Sequence, residues 1–106
     1  MDCCSEGHGS GVSPAACSGG TPEVQRKFQD FLKCANGPGA LDARTKQTVA
    51  IALSVVTKCE PCTKIHMKKA RDMGFSQEEI DEAAWMAIAF GGSPTMMFYN
   101  SVKRPE

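Results

Sequence analysis

The stretch Cys59-Glu60-Pro61-Cys62-Thr63-Lys64-Ile65-His66 carries the residue types and spacing that could do chemistry. It reads Cys-x-x-Cys-x-x-x-His, and at about 100° per residue positions 59, 62 and 66 fall within about 60° of one another on a helical wheel. Two thiols and an imidazole then share one face within the first two turns of a helix. Pro61 supports a helix that begins here, because proline is favoured where its missing N–H costs nothing. Cys62 then lies among the unpaired N–H groups at the positive end of the helix dipole, where a thiolate is stabilised. Lys58 and Lys64 add positive charge nearby, unless both are simply solvated. His66, one turn after Cys62, is placed to exchange a proton with it. The pattern offers a redox-active or nucleophilic thiol.

Two plainer readings compete. Structural zinc asks for a fourth ligand, usually from a second knuckle. The other cysteines and His8 lie in a Gly/Ser-rich tail or on another helix, so the expectation is a site without metal or cofactor. The thiols could also be inert core residues, like any Cys-x-x-Cys pair that happens to be buried.

The elements that must position the motif follow from caps and periodicity. Residues 1–20 are rich in Gly, Ser and Cys and nearly devoid of large aliphatic side chains, so they read as a flexible tail. The tail holds Cys3, Cys4, His8 and Cys17, which suit either an idle leader or a second thiol or soft-metal site. Residues 21–106 read as the domain. Thr21-Pro22-Glu23 predicts a helix start with Thr21 as N-cap. Val24, Phe28, Phe31 and Leu32 form its apolar stripe, and Asn36-Gly37-Pro38-Gly39 ends it. Cys34 is taken as a packed or idle thiol.

Asp42 predicts the N-cap of a second helix running from Ala43 to Lys58, apolar nearly all round and so expected to be buried on several sides. The third helix runs from the Cys motif to Met73, with Ile65, Ala70 and Met73 inward and Gly74 as its left-handed stop. Ser76-Gln77-Glu78-Glu79 is a capping box for a fourth helix carrying Ile80, Ala84, Trp85, Ile88 and Phe90. Ser93-Pro94 opens a fifth, with Met96, Met97, Phe98, Tyr99 and Val102 assigned to core or subunit interface. The fold class is all-α with about five helices.

Length and charge narrow the function. A chain of 106 residues suits one modest core. Formal net charge is zero with 23% charged residues, which gives no general affinity for nucleic acid or an anionic membrane. No apolar run approaches a membrane span, and the N-terminus lacks the basic-then-apolar pattern of a signal peptide. The expected location is the cytoplasm, where cysteines serve redox or metal chemistry rather than a disulfide framework.

The order of these pieces resembles the alkylhydroperoxidase D / carboxymuconolactone decarboxylase-like family. The resemblance runs from about Leu41 to Phe90. It is carried by Leu41-Asp42-Ala43-Arg44-Thr45-Lys46, Cys59-Glu60-Pro61-Cys62, His66, Gly74 and the capping box that follows. It implies an all-helical homotrimer or homohexamer. It also implies that Cys62 attacks peroxide, that Cys59 donates a proton and then forms the disulfide, and that His66 belongs to the proton relay. The partners implied are a peroxide substrate and a dithiol reductant.

One position departs from the pattern. Where the family places a glutamate, about a dozen residues before the first cysteine, this chain has Gln47. A glutamine there can hold a water or orient the imidazole, but it cannot shuttle a proton at neutral pH. Glu60 could replace it only by turning inward. The expected function is thus a thiol-dependent peroxidase or disulfide oxidoreductase using Cys62, Cys59, His66 and Gln47. A lyase of the decarboxylase kind, drafting Arg44 and His66, is one alternative. A redox or soft-metal sensing module is the other.

Overall fold

The computed structural model describes residues 18–104, which form five helices and, among the described residues, no strand. Cys3, Cys4, His8 and Cys17 lie outside the described residues. The helices are α1 (Gly20–Asn36), α2 (Ala43–Val56), α3 (Glu60–Asp72), α4 (Gln77–Gly91) and α5 (Ser93–Lys103). The chain divides into two compact units after Ala43.

In the first unit, α1 begins slightly before the expected Thr21. Gly19 occupies the N-cap without a side-chain cap, and Glu23 reaches back to accept the Gly19 N–H at 2.7 Å. A first-turn carboxylate thus does the work expected of Thr21. The helix stops at Asn36 as expected, and Gly37 is extended. No residue of α1 is buried; its stripe Val24, Phe28, Phe31 and Leu32 is exposed, with the Phe28 and Phe31 rings stacked 6.1 Å apart. Cys34 is not the idle thiol expected, because it takes part in a disulfide. It is half-buried, on a helix with no buried residue.

In the second unit, α4 packs on α5, and α3 packs on both. The core gathers Ile51 and Val55 of α2, Met67 and Ala70 of α3, Phe75, the small-residue face of α4 and Tyr99 of α5. On α2 one stripe is buried, formed by Gln47, Ile51, Ser54 and Val55, while Val49 and Leu53 stay exposed. The expectation that α2 is covered on several sides is not met within this chain. On α3 the buried stripe is Thr63, Met67 and Ala70, at i, i+4 and i+7. Ile65 was expected inside and is 65% exposed. It lies about 160° or more around the helix from Thr63 and Met67, and the paired Thr63 and Met67 set the phase. On α4, Ile80, Ala84 and Ile88 are buried, whereas Trp85 and Phe90 are exposed.

The turns around α3 fix its ends. At its C-terminus Gly74, at φ 94°, donates to Arg71 O, and Phe75 N–H donates to Ala70 O at 2.9 Å, the two bonds of a Schellman stop. The same motif ends α2, with Lys58 N–H on Val55 O and Cys59 N–H on Ser54 O. Here the left-handed position is taken by Lys58, at φ 56°, rather than by glycine. A non-glycine residue there costs roughly 1 kcal/mol. The capping box of α4 forms as expected. Ser76 Oγ accepts the Glu79 N–H at 3.1 Å, and Glu79 accepts the Ser76 N–H at 2.8 Å.

Candidate active site

The α2–α3 junction delivers both cysteines to one helix end. Cys59 is the residue after the left-handed Lys58 and also the N-cap of α3, so the closing turn of α2 sets its position directly. Its carbonyl accepts the Thr63 N–H at 2.9 Å, the first bond of the helix. Its sulfur accepts the Cys62 N–H at 3.3 Å, in place of the hydroxyl or carboxylate that usually caps. Pro61 sits in the first turn, where it removes no needed donor. The Cα atoms of Cys59 and Cys62 are 5.2 Å apart and their sulfurs are joined as a disulfide. Cys62 is exposed and Cys59 half-buried.

Of the charges near the pair, Glu60 and Lys64 face solvent. Glu60 does not turn inward. It pairs with Lys64 at 3.0 Å on the solvent side of α3, so neither acts on the thiols as a free charge. Arg44 gives two hydrogen bonds to Glu79, at 3.1 and 3.2 Å, and lies 4.1 Å over the Phe75 ring. The Arg44 hydrogen bonds, with that of the Ser76 N–H, hold the Glu79 carboxyl below its ordinary range. The guanidinium is thereby committed to the α3–α4 turn. A surface cavity of about 500 Å³ lies beside it, lined by Arg44, Phe75, Glu79, Trp85 and Met86 among others; the cysteine pair does not line it.

His66 is half-buried one turn beyond Cys62. Burial, and secondarily the charge of Lys69, lower its pKa below the usual value, which favours neutral imidazole. Gln47, buried on α2, donates through Nε2 to the His66 carbonyl oxygen at 2.9 Å, and the same nitrogen lies 3.5 Å from His66 Nδ1. The structure thus joins the expected residues in two pairs: Cys59 with Cys62 at one helix end, and Gln47 with His66, which follows Cys62 by four residues on α3. Sequence reasoning did not find the sulfur cap at Cys59 or the left-handed Lys58. Only the lack of glycine between α2 and the motif hinted at the latter.

A sequence profile of the carboxymuconolactone decarboxylase family matches residues 22–101. The chain belongs to that family. Among curated relatives, "Uncharacterized protein 4 in cox locus" of Paracoccus denitrificans is 51% identical over 64 residues, which span 60% of this chain and 58% of that protein. An uncharacterized protein of Cupriavidus necator is 31% identical over 77 residues, covering 73% of this chain and 68% of its own. Solved structures of the same family agree. One from Legionella pneumophila superposes with a TM-score of 0.71 at 31% identity, covering 83% of this chain and 79% of that one. Another from Thermotoga maritima, for which a part in the antioxidative response has been suggested, gives 0.69 at 29% identity over 76% and 68%. This family membership and the five-helix fold match the resemblance carried by the motif.

Proposed function

We propose that this carboxymuconolactone decarboxylase family protein is a thiol-dependent peroxidase or disulfide oxidoreductase working through Cys59 and Cys62. The observation that carries the reading is the disulfide-bonded pair at the N-terminus of α3, with its inner sulfur taking a helix N–H and its outer cysteine exposed. The Cys62 thiolate attacks the peroxide O–O bond, giving Cys62–SOH, and the departing oxygen takes up a proton to leave as water or alcohol. The Cys59 thiol then displaces water from that sulfenic acid to form the disulfide. A dithiol reductant restores both thiols and is itself oxidised to a disulfide.

Exposed apolar side chains on α2 and α4 support assembly as a homotrimer or homohexamer. Leu53, Met86 and Phe90 line a shallow groove of about 350 Å³ there. A need for a reducing partner supports action in the cytoplasm. No described helix is long and apolar enough to cross a membrane.

The test is peroxide turnover by single-cysteine variants. Cys62→Ser should abolish it, while Cys59→Ser should leave a sulfenic acid at Cys62 that dimedone traps. Wild-type turnover in both variants would dispose of the reading.

A further inference from the structure

We propose that Gln47 holds His66 as the neutral tautomer protonated on Nε2, so that the imidazole on the cysteine helix is a fixed hydrogen-bond donor rather than a base. The carbonyl of His66 can only accept, so the Gln47 atom 2.9 Å from it must be the amide nitrogen, and this decides the orientation of the carboxamide. A flipped amide would set two oxygens against each other inside a site where Gln47 is 4% exposed.

With the nitrogen so placed, its second hydrogen is the one available to His66 Nδ1, 3.5 Å away. That approach is attractive only if Nδ1 carries a lone pair. A proton on Nδ1, in the other neutral tautomer or in the imidazolium, would meet an N–H donor head-on. The groups that bear on the ring point the same way: Gln47 from α2 is uncharged, and Lys69 on α3 adds a positive charge that disfavours imidazolium. Nε2, which has no partner among the described residues, is left to carry the proton.

The consequence for the site rests on the thiol chemistry proposed above. With Nδ1 occupied and Nε2 already protonated, His66 has no lone pair to offer Cys62, so the thiol loses its proton to solvent. The Nε2–H can then stabilise a thiolate one turn back along the helix. Gln47 is a positioning residue: it acts through the imidazole.

The tautomer is read without any substrate. The full reduced chain, labelled with ¹⁵N-histidine, would be examined by long-range ¹H–¹⁵N correlation, with a His8→Gln variant assigning the two rings. The expected result is an unprotonated Nδ1 and a protonated Nε2 for His66 at neutral pH. Gln47→Glu should move the proton to Nδ1 and raise the His66 titration midpoint by about 1 unit or more. Gln47→Met, close in volume and unable to hydrogen-bond, should give a mixture of tautomers. A wild-type ring protonated on Nδ1, or a tautomer ratio unchanged in both variants, would overturn the proposal. Because the spectra need no peroxide, failure of the peroxidase reading would leave this result standing.

Discussion

The backbone N–H of Cys62 points at the sulfur of Cys59, 3.3 Å away, so the inner cysteine caps the helix on which the outer one rides. This divides the labour of the pair. Under the proposed thiol chemistry, exposed Cys62 would be where peroxide or an external thiol arrives, and half-buried Cys59 the sulfur to which the electron pair retreats when the disulfide opens. A helix N–H already aimed at Cys59 stabilises that thiolate as it forms. After one equivalent of peroxide, Cys59→Ser should therefore accumulate a mixed disulfide between Cys62 and an added monothiol, formed from the Cys62 sulfenic acid with loss of water and seen by intact mass. Cys62→Ser should not. Accumulation in the Cys62→Ser variant alone would reverse the two roles.

Lys58 holds a left-handed backbone at the turn that sets Cys59. Lys58→Gly should relieve the strain and, after the entropy lost by glycine, raise unfolding stability by up to about 1 kcal/mol in urea titrations. A loss of stability would mean that the lysine side chain supports the turn in its own right.

Asp81 joins α4 to α5. It accepts from Tyr99 Oη at 2.6 Å, Lys103 Nζ at 3.0 Å and Gln77 Nε2 at 3.0 Å. Burial alone would raise its pKa, but these hydrogen bonds together bring it below the ordinary value, while burial and the Asp81 contact push the Tyr99 phenol well up. Tyr99→Phe strands part of that network at a residue 1% exposed and should cost about 1–3 kcal/mol. The folded carboxyl lies below its unfolded value of about 3.9, so its contribution is present above that pH and is lost as pH falls through the folded pKa. The wild-type advantage over Tyr99→Phe should shrink in acid. A gap that widens on acidification would contradict this assignment.

Phe90, 85% exposed at the end of α4, sits with Leu53 and Met86 on the apolar groove. Phe90→Glu should convert a trimer or hexamer into monomer in sedimentation velocity while leaving the helical signal intact. An unchanged sedimentation coefficient would place the subunit contact elsewhere.

The all-α fold and the helix end that carries the cysteine pair were legible because local rules govern them. Pro61, Gly74 and the Ser76–Glu79 box each mark a helix end by a mechanism confined to a few residues. Ile65, Trp85 and Phe90 were less legible, since periodicity states that a face is apolar but not what covers it. The partner of Gln47 was legible only as a role. Its bond to a backbone carbonyl 19 residues away depends on how α2 and α3 pack, which no local pattern encodes. Cys34 was misjudged because oxidation is a property of pairing, not of its own surroundings.

Stopped-flow mixing of the pre-reduced protein with hydrogen peroxide and with an organic hydroperoxide, followed by mass mapping of the products, decides whether Cys59 and Cys62 reduce peroxide. Thiol peroxidase chemistry at this pair should give a rate far above that of a free thiol with at least one of these oxidants, and a Cys59–Cys62 disulfide as the product. A rate no better than a free thiol, or oxidation that bypasses this pair, would contradict it.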